Sequence, residues 1–252
     1  VFGLTKAKLP VTPDQQTWVD WSFTRLAETL GAERLHTAVV MLPTPHHFPD
    51  PYDGSEAALQ RMFERVAHAM EVNPASVRLT VFDNAGDISE NLMPFGAGQA
   101  SGPGGFYKQD DAGRTEISIS AEKLKDPAAL VAVLAHELGH VILLRPGLVD
   151  RDAFDMEPLN DLLTVFLGLG VFTANASFRF RQFTDNGKQG WSAQRLGYLS
   201  EELFAYALAR FAYERHEQNP AWSTQVAPNL RGYFKRSLRW LAEQHAPRLL
   251  VE

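Results

Sequence analysis

The 252 residues contain no cysteine. That absence excludes disulfides, thiolate zinc sites and a cysteine nucleophile together, and it leaves the compartment open. Basic runs are missing as well. Lys plus Arg number 24 against 30 Asp plus Glu, a net charge of −6. A chain with that balance is not expected to bind nucleic acid. Nor is there a long apolar run. The longest uncharged stretch, Leu162 to Phe178, is interrupted by Thr164, Gly168, Gly170, Thr173, Asn175 and Ser177. It predicts a buried core helix and no transmembrane span. A soluble chain is expected, with the cytoplasm favoured. The first residues, VFGLTKAKLP, hold neither an initiator methionine nor a signal pattern, which leaves room for an upstream segment. The glycine-rich stretch from Gly96 to Gly105 lacks the lysine of a phosphate-binding loop, so a loop bordering a cleft is the better reading.

What is present organises itself around VAVLAHELGHVILL, residues 131–144. Asp126 can cap a helix there, Pro127 suits its first position, and Arg145-Pro146-Gly147 can stop it. HELGH contains the H-E-x-x-H pattern at His136, Glu137 and His140. Residues four apart on a helix share a face, so the two imidazoles would reach one point. Zinc accepts neutral imidazole nitrogen, and a carboxylate beside the first ligand can take a proton from activated water. His136 and His140 are therefore candidate Zn2+ ligands, and Glu137 the candidate catalytic base. The helix is apolar on nearly every other side, where such groups are costly unless something pairs with them.

A third ligand is sought downstream, among Asp150, Asp152, Asp155, Glu157 and Asp161. Glu157 and Asp161 open a second apolar helix, with Pro158 in its first turn. In HELGH and EPLND the chain resembles the zincin metallopeptidases, and within them the gluzincins. The resemblance implies Glu157 as third metal ligand and Asp161 as the acid that orients a ligand histidine. Without it, both are ordinary first-turn acids favoured by the helix dipole. Pro158 departs from that family's pattern, because it puts Glu157 at a helix start. The metzincin branch is excluded, since Leu143 and Pro146 stand where it needs glycine and histidine. The implied function is a zinc-dependent metallopeptidase acting on a peptide or protein substrate. The alternative is a zincin-like binding or regulatory protein with a structural or cryptic metal site and no turnover.

The rest of the chain sets the expected fold. Thr12-Pro13-Asp14-Gln15 reads as a capping box opening a helix to Gly31, with Trp18, Trp21, Leu26 and Leu30 as core. RLHTAVVML, 34–42, reads as a buried strand, and 43–55 as a proline-rich loop holding His46 and His47. Ser55 caps a helix to about Val72. SVRLTVFD, FYKQ and RTEISIS read as strands, the last two joined by a hairpin turn at 110–113. By the same resemblance, RTEISIS or its partner is the candidate peptide-binding edge. FRFRQFTDNGKQGW, 178–191, reads as a hairpin or connector, and helices follow over 199–217 and 229–245. The expected architecture is α+β and zincin-like. It is a single domain over 1–252, with a mixed N-terminal lobe (1–125) holding a small sheet and a helical C-terminal lobe (126–252). The active-site helix is expected at their junction. Tyr198, Tyr206 and His216 are candidate oxyanion donors, with nothing in the sequence to choose among them.

Overall fold

The computed structural model describes residues 8–82, 105–109, 114–145, 148–149, 155–184 and 199–244, together with 246, 248 and 249; for 178–184 it describes the backbone alone. The protein is α+β and mostly helical, with a three-stranded sheet among the described residues. The chain forms two compact units, Val1–Leu42 with Asp152–Glu252, and Pro43–Arg151. The division differs from the one expected at 125/126. The helix carrying HELGH lies in the same unit as the sheet. No helix among the described residues is long and apolar enough to cross a membrane.

In the unit Pro43–Arg151, α3 spans Glu56–Ala69. The Ser55 hydroxyl caps it by accepting from the Ala58 amide, as the sequence predicts. Three strands follow, β1 (Val77–Phe82), β2 (Gly105–Gln109) and β3 (Thr115–Ser120), in the spatial order β1-β3-β2. β3 runs parallel to β1 and antiparallel to β2, with Gly105 opposite Ile119 and Tyr107 opposite Ile117. RTEISIS is therefore the central strand, and its partner FYKQ lies at one end of the order. Ile117 and Ile119 are fully buried, which explains why an isoleucine-rich run took the middle position. The turn at 110–113 and the stretch 83–104 lie outside the described residues.

The helix α4 spans Pro127–Leu143. The Asp126 carboxylate accepts from the Ala129 amide at 3.1 Å, and Pro127 sits in the first turn, where no amide hydrogen is needed. Such a cap is worth about 1 kcal/mol. Leu130, Leu134, Ala135 and Leu138 are fully buried, so α4 is enclosed on most of its surface. Its neighbours in the unit are α3, β2 and β3.

The other unit is helical. α1 (Pro13–Leu30) begins with the complete capping box: the Thr12 hydroxyl accepts from the Gln15 amide, and the Gln15 side chain accepts from the Thr12 amide. Its buried face is Val19, Ser22, Phe23 and Leu26. Trp21 corrects the expected core list, being 53% exposed. The strand expected at 34–42 is absent. Ala32–Thr37 forms the short helix α2, and residues 38–42 have no regular structure. Only Leu35 of α2 is buried, and Val39 is 61% exposed. Arg215 holds this segment in place of a strand partner. Its Nη1 donates to the carbonyls of Leu35, His36 and Ala38.

The run from Leu162 to Phe178 is likewise two helices, α5 (Met156–Phe166) and α6 (Gly170–Thr184). Gly168 breaks it, with φ +86°, a value that disfavours any side chain. The Leu169 amide donates to Thr164 and the Gly168 amide to Val165, the paired bonds of a Schellman end. A Cβ on Gly168 would also lie 2.4 Å from the Val39 carbonyl oxygen. α7 (Glu201–Glu214), capped by Ser200, and α8 (Pro228–Glu243) complete the unit. Between them Trp222 stands 6.2 Å from the Phe211 ring and 5.4 Å from that of Phe234.

Candidate metal centre

Two helical features aim His136 and His140 at a common region. They lie one turn apart on α4, and both are half-buried while Ala135, Glu137, Leu138 and Gly139 around them are buried. Their ring centroids are 5.0 Å apart and the rings stand almost perpendicular, at 84°. The two imidazoles therefore lie against one another edge to face. Glu137, between them in sequence, is 5% exposed. It lies beside Gly105 of β2: a Cβ built there would meet Glu137 Oε1 at 2.9 Å and Val133 Cγ1 at 2.7 Å. Two positions along β2, the Tyr107 ring lies 5.8 Å from that of His140. Gly105 and Tyr107 are functional candidates that motif reading passed over. The available signal was the alternation of FYKQ, which puts residues 105 and 107 on one face of a strand.

In the helical unit, Glu157 lies in the first turn of α5, half-buried, followed by Pro158. This is the early helix position that the sequence gives it. Asp161 is 3% exposed, and its Oδ2 accepts from the Leu199 amide at 3.1 Å, which pins the residues leading into α7. The competing candidate Asp155 is engaged otherwise: its Oδ2 accepts from the Trp18 indole at 3.3 Å. Asp150 and Asp152 lie outside the described residues. Among the described residues, the group able to hold a metal ion is His136, His140 and Glu157.

The oxyanion candidates separate. The Tyr206 hydroxyl donates to Asp20 Oδ1 at 2.9 Å and is buried in the helical core. Burial, then the Asp20 charge, push its pKa well above the usual tyrosine value, so it stays protonated and structural. His216 is exposed, with φ +59°, at the left-handed end of α7. Tyr198 lies outside the described residues. His46 and His47 stack edge to face at 4.9 Å, with His47 Nδ1 beside the Thr44 hydroxyl at 3.2 Å.

A second buried polar cluster sits on α7. Arg210 Nη2 meets Glu214 Oε1 at 2.7 Å, and its Nη1 lies 3.7 Å from Asp20. Glu214 Oε2 also accepts from the Leu249 amide. Burial raises the Glu214 pKa against the opposing pull of Arg210. Compared with family models, curated proteins and solved structures, the chain matches none.

Proposed function

We propose that the protein is a zincin-like metallopeptidase that hydrolyses peptide bonds, with His136, His140 and Glu157 holding Zn2+ and Glu137 as general base. One observation carries the reading: one ligand atom from each of His136, His140 and Glu157 lies within 4.8 Å of the other two. Two imidazoles and a carboxylate form the donor set of a catalytic zinc site, which keeps a further position open. A divalent ion shared by the three donors would offset the cost of burying them. When bound, zinc supplies Lewis acidity, lowering the pKa of water and polarising a carbonyl.

The protein side chains do the rest. Glu137, enclosed beside the histidines, accepts the proton of the attacking water on its carboxylate. It then returns that proton to the departing amide nitrogen, so the peptide bond breaks with no net change in charge on the enzyme. Asp161 is the acid proposed to orient a ligand histidine, and its Oδ2 also accepts from the Leu199 amide.

The test is Glu137→Gln, assayed on a mixed peptide library by mass spectrometry. Turnover is expected to fall about 10²- to 10⁴-fold, the range for a general base. Zinc content is expected to stay at the wild-type level. Equal cleavage by both proteins, or none by the zinc-loaded wild type, overturns the proposal.

A further inference from the structure

β2 meets α4 at a place where a side chain is missing. Gly105 is buried, and its backbone is not in the left-handed region, so conformation alone does not demand glycine. Space does. An added Cβ would meet Val133 Cγ1 at 2.7 Å, Glu137 Oε1 at 2.9 Å and Glu137 Cγ at 3.0 Å. Real Cβ contacts do not come that close, so something must shift.

The two neighbours differ in how readily they shift. Val133 is β-branched and sits in a helix, where one rotamer dominates. Glu137 Oε1 is the far end of a flexible side chain. The carboxylate is the part that would move. The alternation along β2 also puts Tyr107 on the same face, against His140. One strand face therefore bears on both the base and a ligand of the proposed centre.

We propose that Gly105 is a positioning residue for Glu137: its missing side chain is the space in which the carboxylate is held. The inference rests on the metallopeptidase reading for its catalytic consequence, but not for its geometry. A displaced base loses alignment with its proton, and a misplacement of about 1 Å can cost about 10²-fold in rate.

The experiment compares Gly105→Ala with wild type in two assays. In the first, zinc-loaded Gly105→Ala is expected to lose about 10- to 100-fold in kcat with KM almost unchanged, since ground-state binding is not altered. Zinc stoichiometry is expected to match wild type. Trp21→Ser, at an exposed position on α1, is expected to keep wild-type kcat. An unchanged kcat in Gly105→Ala overturns the inference and leaves the metallopeptidase reading standing.

The second assay needs no activity. Thermal melts of the metal-chelated proteins complete a cycle of Gly105→Ala and Glu137→Ala. Gly105→Ala is expected to lower Tm less in the Glu137→Ala background, where the carboxylate is gone. Equal drops in both backgrounds overturn the inference. If Gly105→Ala alone does not fold, folding of the double variant supports the inference and failure of both overturns it. Should the wild type cleave nothing, the metallopeptidase reading fails, while the cycle still decides the role of Gly105.

Discussion

In α7, Arg210 and Glu214 lie in an apolar helix and find each other at 2.7 Å; Asp20, Tyr206 and the Leu249 amide join them. In α4, a more apolar helix, His136, Glu137 and His140 gather instead, two imidazoles and a carboxylate. The α7 cluster contains its own cation and anion, so it is complete as a structural unit. The α4 cluster sets two half-buried imidazoles beside a buried carboxylate, the donor types of a metal site. The two clusters differ in donor chemistry: a guanidinium on a carboxylate in α7, imidazoles with a carboxylate in α4. That difference separates a structural network from a candidate ligand set more sharply than burial does.

The largest expected effect on stability lies in α7. Arg210→Ala leaves Glu214 buried without its partner and is expected to destabilise by about 3–5 kcal/mol in urea titrations. Replacing both, with Arg210→Met and Glu214→Leu, is expected to cost far less, because two apolar groups need no partner. If the single and double replacements cost the same, the α7 cluster is not the self-contained pair described above.

Next comes metal linkage in α4. Zinc at about 100 times its Kd is expected to stabilise the wild type by about 2.7 kcal/mol, read as a rise in Tm that a chelator reverses. His140→Ala is expected to remove that rise. A rise of the same size in His140→Ala breaks the contrast between the helices.

A smaller effect is the pH dependence of α7. Folding raises the Glu214 pKa above its ordinary 4.5, so the folded state binds the proton more tightly. Its contribution to stability is complete below 4.5 and is lost as pH rises through the raised value. Glu214→Gln is expected to flatten that part of the profile in urea titrations across a series of pH values. An unchanged slope means that Glu214 does not titrate in this window.

The smallest effect is expected at the surface. Trp21→Ser is expected to shift stability by no more than about 0.5 kcal/mol, well below the cost of truncating Phe23, two residues on. Phe23 is fully buried and its ring lies 6.1 Å from that of Phe166.

Local signals were legible wherever the interaction itself is local. The caps at Thr12, Ser55 and Asp126 each use a side chain and an amide three residues away, and all three form. The strands Val77–Phe82 and Thr115–Ser120 likewise follow their β-branched composition. Reading failed where a distant partner decided the outcome. RLHTAVVML has the composition of a strand, but its carbonyls bond to Arg215, far along the chain. Trp21 and Phe23 are both aromatic on one helix, and only the packing of α5 against α1 selects Phe23.

The amino-acid order by itself determined the helix through HELGH, the one-turn spacing of His136 and His140, and the early position of Glu157 in α5. Each follows from backbone periodicity and end capping, which operate over a few residues. Tertiary structure decided which strand is central, and that Gly105 and Tyr107 stand against Glu137 and His140. Those outcomes depend on which surfaces exclude water together, and that is a property of the folded chain rather than of any segment of it.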